Sequence, residues 1–327
     1  EKMSEINVEN CIHCGLCTRN CSFLKKYDLD LQKFSEHPEL AYSCFMCRKC
    51  SQVCPKKISG EKIALAMRKE QVQNGEGAKK DLAYRGLLWE KNRYKFANYK
   101  KSKKKSVFMP GCNFSSFFPK TTKRLEEIMK KHDIGILYEC CGKPVYELGL
   151  ISDAENSLQR IEERLRKNGV EELILLCPNC YHFMKDKIRI PIVTIYDKLK
   201  ELGEGNVVKK DVIPMYYPCP DRKDKILFGD MRYFLKGKIE SPFQNVQCCG
   251  LGGCAAAKEP ELSKGMPKQV IEGDTKILYT YCASCVCNFR RKGFEEAYHV
   301  LPLILGVDEK VPLGMQPFFN RAKHLVI

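Results

Sequence analysis

No run of about 18 apolar residues occurs in the chain, the length a helix needs to span a bilayer, so no transmembrane segment is expected. No secretory signal is visible, which points to a cytoplasmic setting and leaves any membrane role peripheral and dependent on a partner. There is no G-x-G-x-x-G fingerprint and no P-loop, hence no recognisable dinucleotide or nucleoside triphosphate site. Nor does a helix-turn-helix, zinc-finger or RNA-binding signature accompany the formal charge of +16. The chemistry is left to whatever the chain has in excess.

That excess is cysteine, 20 of 327 residues. A secreted disulfide scaffold would also be rich in cysteine, but such scaffolds are short and loop-rich. This chain is long enough for two or three domains, is 44% hydrophobic and shows clear helix and strand patterns. Two neighbouring pairs, Cys140–Cys141 and Cys248–Cys249, are poor disulfide candidates, because one peptide unit holds the Cα atoms closer than the bond prefers. Metal remains, and the spacings decide which.

Residues 11–21 read CIHCGLCTRNC and residues 44–55 read CFMCRKCSQVCP, each a C-x₂-C-x₂-C-x₃-C run. This is the ferredoxin pattern for a pair of [4Fe–4S] cubanes, in which the fourth thiolate of each run serves the other cluster. One cubane is expected on Cys11, Cys14, Cys17 and Cys54, the other on Cys44, Cys47, Cys50 and Cys21. Pro55 follows the second run as the pattern wants, whereas Ser22 stands where the first would have proline. Zinc rarely uses this triple spacing. His13, inside the first loop, reads as a surface residue rather than a ligand. Apolar positions at helical intervals lie between the runs, and residues 58–73 read as an amphipathic helix capped by Ser59, so an α-helical ferredoxin domain is expected over 1–90. Residues 91–106, KNRYKFANYKKSKKKS, read as a basic, solvated linker that could also dock an acidic partner or draw in an anionic substrate.

From Val107 the chain repeats itself. VFMPGC, ILYECCG and LILLCPNC in the first unit correspond to MYYPCP, VQCCG and ILYTYCASC in the second, with cysteines offset by 105 to 108 residues. Short β-branched or aromatic runs end at the cysteines and helical stretches separate them, which is an α/β layout. Ligands in such folds gather beyond the carboxyl ends of the strands, where these thiols lie. Gly142 and Gly250, directly after the paired cysteines, are expected to turn the backbone sharply. Cys254 and Cys287 flank the second set as small buried residues, alternative ligands or a redox-active thiol.

The pattern C-x₂₇₋₂₈-CCG-x₃₁₋₃₄-C-x₂-C, present twice behind a two-cubane ferredoxin domain, resembles the CCG cysteine-rich family. Within it the chain resembles the catalytic iron–sulfur subunit of heterodisulfide reductase. The wider family includes iron–sulfur subunits of anaerobic glycerol-3-phosphate dehydrogenase and glycolate oxidase. The resemblance implies a noncubane [4Fe–4S] cluster in each CCG domain, bound by Cys112, Cys140, Cys141, Cys177 and Cys180 in one and by Cys219, Cys248, Cys249, Cys282 and Cys285 in the other. Zinc, which soft thiolates also suit, is the alternative in one domain. The expected fold is α+β multidomain: the ferredoxin domain, the linker, and two duplicated α/β CCG domains at 107–211 and 212–327.

Thiolate-bound clusters are anionic, and two cubanes with two five-thiolate clusters would reduce the net charge to about +6, which weakens the charge as a sign of nucleic-acid binding. The resemblance implies electron entry through the cubanes and reduction of a small disulfide by a facing pair of noncubane clusters. His182, beside CPNC, with Lys143, Tyr146 and Tyr281, are candidate proton donors to product thiolates. The alternative is an electron conduit between a flavoprotein dehydrogenase and a quinone or membrane cytochrome. In both readings the flavin belongs to a partner.

Overall fold

A computed structural model describes residues 6–312 and 314–325. The chain forms two compact units, and neither is continuous in sequence. Unit 1 comprises 1–92, 144–155 and 244–273; unit 2 comprises 93–143, 156–243 and 274–327.

Unit 1 is helical. Short helices Leu16–Arg19, Ser22–Lys26, Leu31–Ser35 and Lys49–Val53 surround the cysteine loops, followed by the longer Gly60–Gln73. Asp30 caps Leu31–Ser35 by accepting from the Lys33 N–H at 2.9 Å. Ser59 caps Gly60–Gln73 by accepting from the Lys62 N–H, as its position suggests. Phe23, Leu31, Phe34, Ile63 and Met67 are buried at the centre, with the rings of Phe23 and Phe34 edge to face at 5.1 Å. The glycines of CCGLGGC are spatial requirements. A Cβ on Gly252 would overlap the carbonyl oxygen of Phe45, and one on Gly253, whose φ is +59°, would lie 2.5 Å from that of Cys44.

Unit 2 is α/β. Strands β1 (Ser106–Met109), β2 (Gly135–Ile136), β3 (Glu172–Leu175) and β4 (Ile192–Thr194) form a parallel sheet in the order β2-β1-β3-β4. Val107, Phe108, Leu173 and Ile174 are fully buried, as parallel strands covered on both faces require. The second repeat supplies β5 (Val208–Pro214) paired with β6 (Leu235–Glu240), and β7 (Leu278–Thr280) paired with β8 (Ala297–His299), all parallel. A bridge from Met215 to Tyr279 joins the pairs. The order β6-β5-β7-β8 reproduces β2-β1-β3-β4, so the duplication in the sequence is a duplication of topology. Of the helical stretches read from the sequence, Pro119–Lys131 folds in unit 2, Pro260–Ile271 belongs to unit 1, and Ile151–Lys167 begins in 144–155 and continues into 156–243.

Residues 93–106 differ from a solvated connector. Tyr94 and Phe96 are buried with Cys140, and Asn98 exchanges backbone hydrogen bonds with Tyr138. Lys103, Lys104 and Lys105 stay exposed, so the charge dominates the composition while the aromatic rings do the packing. No helix among the described residues is long and apolar enough to cross a membrane.

Two outcomes follow for stability. Gly252→Ala forces backbone apart and should destabilise unit 1 by about 2 kcal/mol or more, read as a lower midpoint of thermal unfolding. His299 is fully buried between Phe114 and Phe118, and burial holds its imidazole down to about 3. The unfolded chain binds that proton at about 6.5, so the stabilisation is present above that pH and is lost as pH falls toward 3. By pH 5 this group alone should remove about 2 kcal/mol, a loss that His299→Asn, with an amide that does not titrate, should not show in denaturant melts.

Candidate metal centres

The first quintet lies in unit 2 at the carboxyl ends of β1, β2 and β3. Cys112 opens the helix Cys112–Phe117 after β1; Cys140 and Cys141 follow β2; Cys177 immediately precedes the helix Pro178–Met184 after β3, and Cys180 lies in its first turn. The Cys112 and Cys140 sulfurs are 3.9 Å apart. Cys141 is in side-chain hydrogen-bond contact with Cys140 and Cys180, and Cys180 with Cys177. Gly111, with φ +84°, permits this convergence, since a Cβ there would sit 3.0 Å from Cys177 Cβ and 3.3 Å from Cys180 Sγ. Hydrogen bonds from Cys140 and Cys180 pull the Cys141 thiol down, and contacts with Cys141 and Cys177 push Cys180 well up. The opposite directions show that these packed thiols interact and do not titrate independently. None of the five is in a disulfide.

The second quintet is distributed between the units. In unit 2, Cys219 accepts from Arg222 Nη2 at 3.5 Å, and Cys282 accepts from Asn179 Nδ2 at 3.8 Å, with Cys285 one turn later in the helix Ala283–Arg291. In unit 1, Cys248 Sγ lies 3.0 Å from Met266 Sδ and accepts from the Gly250 N–H, and Cys249 is buried. Both Gly142 and Gly250 have positive φ, +83° and +86°, as their place after the paired cysteines suggests. Cys287 is fully buried, and Cys254 is half-buried with φ +54°. Within unit 2 the cysteine segments of the two repeats touch. Asn113, after Cys112, donates to Ser284 Oγ at 2.7 Å, as Asn179 does to Cys282.

The eight cysteines of unit 1 that precede residue 55 form two groups. Cys11, Cys14, Cys17 and Cys54 line one cavity, together with Ile12 and Pro55. Cys21 is electrostatically coupled to Cys47 and Cys44, and Cys50 to all three. Burial pushes Cys44 up to about 12 and raises Cys21 and Cys50 well above the ordinary thiol range. Four clustered sulfurs in so poor a setting for free thiolates fit a site whose charge balance includes a metal group. His13 is exposed and bonds Asp30 at 2.7 Å, and the ligand atoms of Cys11, His13 and Asp30 lie within 4.8 Å of one another.

Three buried polar residues were not identified from the sequence. Arg68, fully buried, donates to the carbonyls of Ala41, Cys44, Glu147 and Gly253, so one guanidinium ties all three segments of unit 1. Asp221, also fully buried, accepts from His182 Nε2 and Tyr281 Oη, each at 2.7 Å, and from the N–H groups of Ile226, Leu227 and Phe228. His182 and Tyr281 therefore share one carboxylate two residues beyond Cys219. Gln247, directly before Cys248, donates to both Cys21 and Cys47. Adjacency to the motif cysteines was the available signal for Asp221 and Gln247; Arg68 had none.

Comparison with known proteins covers every cysteine of the chain except Cys219 with two domain families. Residues 7–58 match the 4Fe-4S dicluster domain, and residues 106–185 and 234–290 match the cysteine-rich CCG domain. An uncharacterized iron-sulfur protein of Methanocaldococcus jannaschii is 24% identical over 81% of this chain and 60% of its own length. A component of the fumarate reductase (CoM/CoB) of Methanothermobacter marburgensis is 23% identical over 85% of this chain and 66% of its own length. A component of the dihydromethanophenazine:CoB–CoM heterodisulfide reductase of Methanosarcina barkeri is 22% identical over 79% of this chain and 74% of its own length. The chain thus spans 60% of the length of the first of these relatives and 66% of the second.

Replacing Asp221 by Asn removes a buried charge that holds three amides, an imidazole and a phenol. Asp221→Asn should cost unit 2 about 2 kcal/mol or more and lower its unfolding midpoint, while iron at the eight cysteines between 11 and 54 stays unchanged.

Proposed function

Because the chain joins a 4Fe-4S dicluster domain to cysteine-rich CCG domains, we propose that it is an iron–sulfur oxidoreductase that reduces a small disulfide, in the manner of heterodisulfide reductase. The observation that carries this reading is the convergence of Cys112, Cys140, Cys141, Cys177 and Cys180 at the ends of three parallel strands. Five converging sulfurs, three of them on buried cysteines, exceed the four that a tetrahedral zinc site takes, which favours an iron–sulfur group.

Cys11, Cys14, Cys17 and Cys54 would hold one cubane, and Cys21, Cys44, Cys47 and Cys50 the other. The quintet above and Cys219, Cys248, Cys249, Cys282 and Cys285 would each hold a noncubane [4Fe–4S] cluster. When bound, these groups supply one-electron carriers and iron sites with affinity for sulfur, which together suit the two-electron cleavage of a disulfide. The protein's own part is to bury and orient. Contacts from Asn113 to Ser284 and from Asn179 to Cys282 hold the cysteine segments of the two repeats against each other. Asp221 fixes His182: a carboxylate only accepts, so Nε2 carries the hydrogen and Nδ1 is the atom that would exchange a proton with a product thiolate. Electrons come from a flavoprotein or membrane cytochrome partner, and the protein works in the cytoplasm or at the membrane through that partner.

The second reading is an electron conduit with no substrate of its own, between a flavoprotein dehydrogenase and a quinone or membrane cytochrome. Isolated, chemically reduced protein should cleave a small disulfide under the first reading and pass electrons only to a partner under the second. Iron analysis should give about sixteen atoms per chain, with a low-temperature EPR signal that changes on addition of thiol or disulfide. Cys140→Ser with Cys141→Ser should lower the count to about twelve and abolish disulfide cleavage. About eight irons with zinc would overturn the proposal.

A further inference from the structure

The motif Gln247-Cys248-Cys249 reaches into the ferredoxin cysteines of unit 1. Gln247 Nε2 lies 3.6 Å from both Cys21 Sγ and Cys47 Sγ, two of the four thiols grouped for the second cubane. The amide has one orientation. Its Oε1 accepts from the Ser22 backbone N–H at 2.7 Å, which requires an oxygen there and leaves both N–H bonds for the sulfurs. Gln247 is 3% exposed, and its own backbone N–H is held by Gln269 Oε1 at 3.1 Å. Two further contacts fix the segment: Lys49 Nζ donates to the Gln244 carbonyl at 2.7 Å, and Arg68 bonds the Gly253 carbonyl at 2.8 Å.

This arrangement explains the one departure from the ferredoxin pattern. Proline after the fourth cysteine would have no N–H to offer Gln247, whereas Ser22 has one. The equivalent residue of the first repeat behaves differently. Glu139, before Cys140, accepts from its neighbour's N–H at 2.8 Å and from Tyr99 Oη at 2.9 Å, and so has no N–H to give a sulfur.

We propose that Gln247 sets the reduction potential of the cubane held by Cys21, Cys44, Cys47 and Cys50, and is the bonded route from that site to the second CCG motif. N–H donors to ligand sulfurs favour the more negative, reduced state and raise the potential. One hydrogen bond and one residue of covalent chain then separate Cys47 Sγ from Cys248. The inference rests on the proposed electron path into the CCG domains, but its test does not need a substrate.

The test is an EPR-monitored redox titration of the whole reduced protein, without any disulfide, comparing wild type with Gln247→Leu and Ser22→Pro. Gln247→Leu removes the donor. Ser22→Pro removes the N–H that orients it, at a first helical position where proline is tolerated. Each should lower the one-electron reduction equilibrium of one cubane by about tenfold, about 59 mV, and leave the cubane of Cys11, Cys14, Cys17 and Cys54 unchanged. Equal shifts in both cubanes, unchanged potentials, or loss of the cubane in both variants would overturn the proposal. Failure of disulfide cleavage alone would overturn only the function proposed above.

Discussion

Sulfur atoms crowded into a buried space cannot all be anionic unless a positive group lies among them. That electrostatic constraint governs the whole molecule. Around Cys141 it shows as thiols pulled in opposite directions, Cys141 down and Cys180 up. Around Cys44 and Cys50 it shows as thiols forced far from ionisation. The surrounding side chains answer it by presenting hydrogen-bond donors: Arg222 to Cys219, Asn179 to Cys282, Gln247 to Cys21 and Cys47. Arg68 puts a buried cation beside Cys44 while bonding only carbonyls and a thioether.

The duplicated fold gives this chemistry its geometry. A parallel strand delivers whatever follows it to one edge of the sheet, so thiols distant in sequence meet. The repeats agree in strand order and differ in detail. The residue before the paired cysteines is Glu139 in one and Gln247 in the other, and each bonds within its own compact unit. Duplicated positions have taken separate tasks, one bracing the sheet unit through Tyr99, the other meeting ferredoxin sulfurs.

Much of the architecture could be read from spacing alone, because metal-ligating patterns and helix caps are local. The runs at 11–21 and 44–55, the cap at Ser59 and the register of the repeat all rest on short-range regularities. Partners remote in sequence left no such mark. Gln247 bonds a sulfur 226 positions away, and Arg68 a carbonyl 185 away. The stretch from 93 to 106 misled because lysines set its average character while Tyr94 and Phe96 pack. The return of 144–155 and 244–273 to the first unit is a tertiary choice that no periodicity announces.

Interleaving has a consequence for biosynthesis. The ferredoxin cysteines leave the ribosome first, yet the last segment of their unit, ending at Gly273, emerges only after most of the sheet unit. Until then Cys21 and Cys47 lack the amide that covers them in the finished molecule. A chain cut short before Gln247 would therefore carry all eight of these cysteines without the amide that donates to two of them.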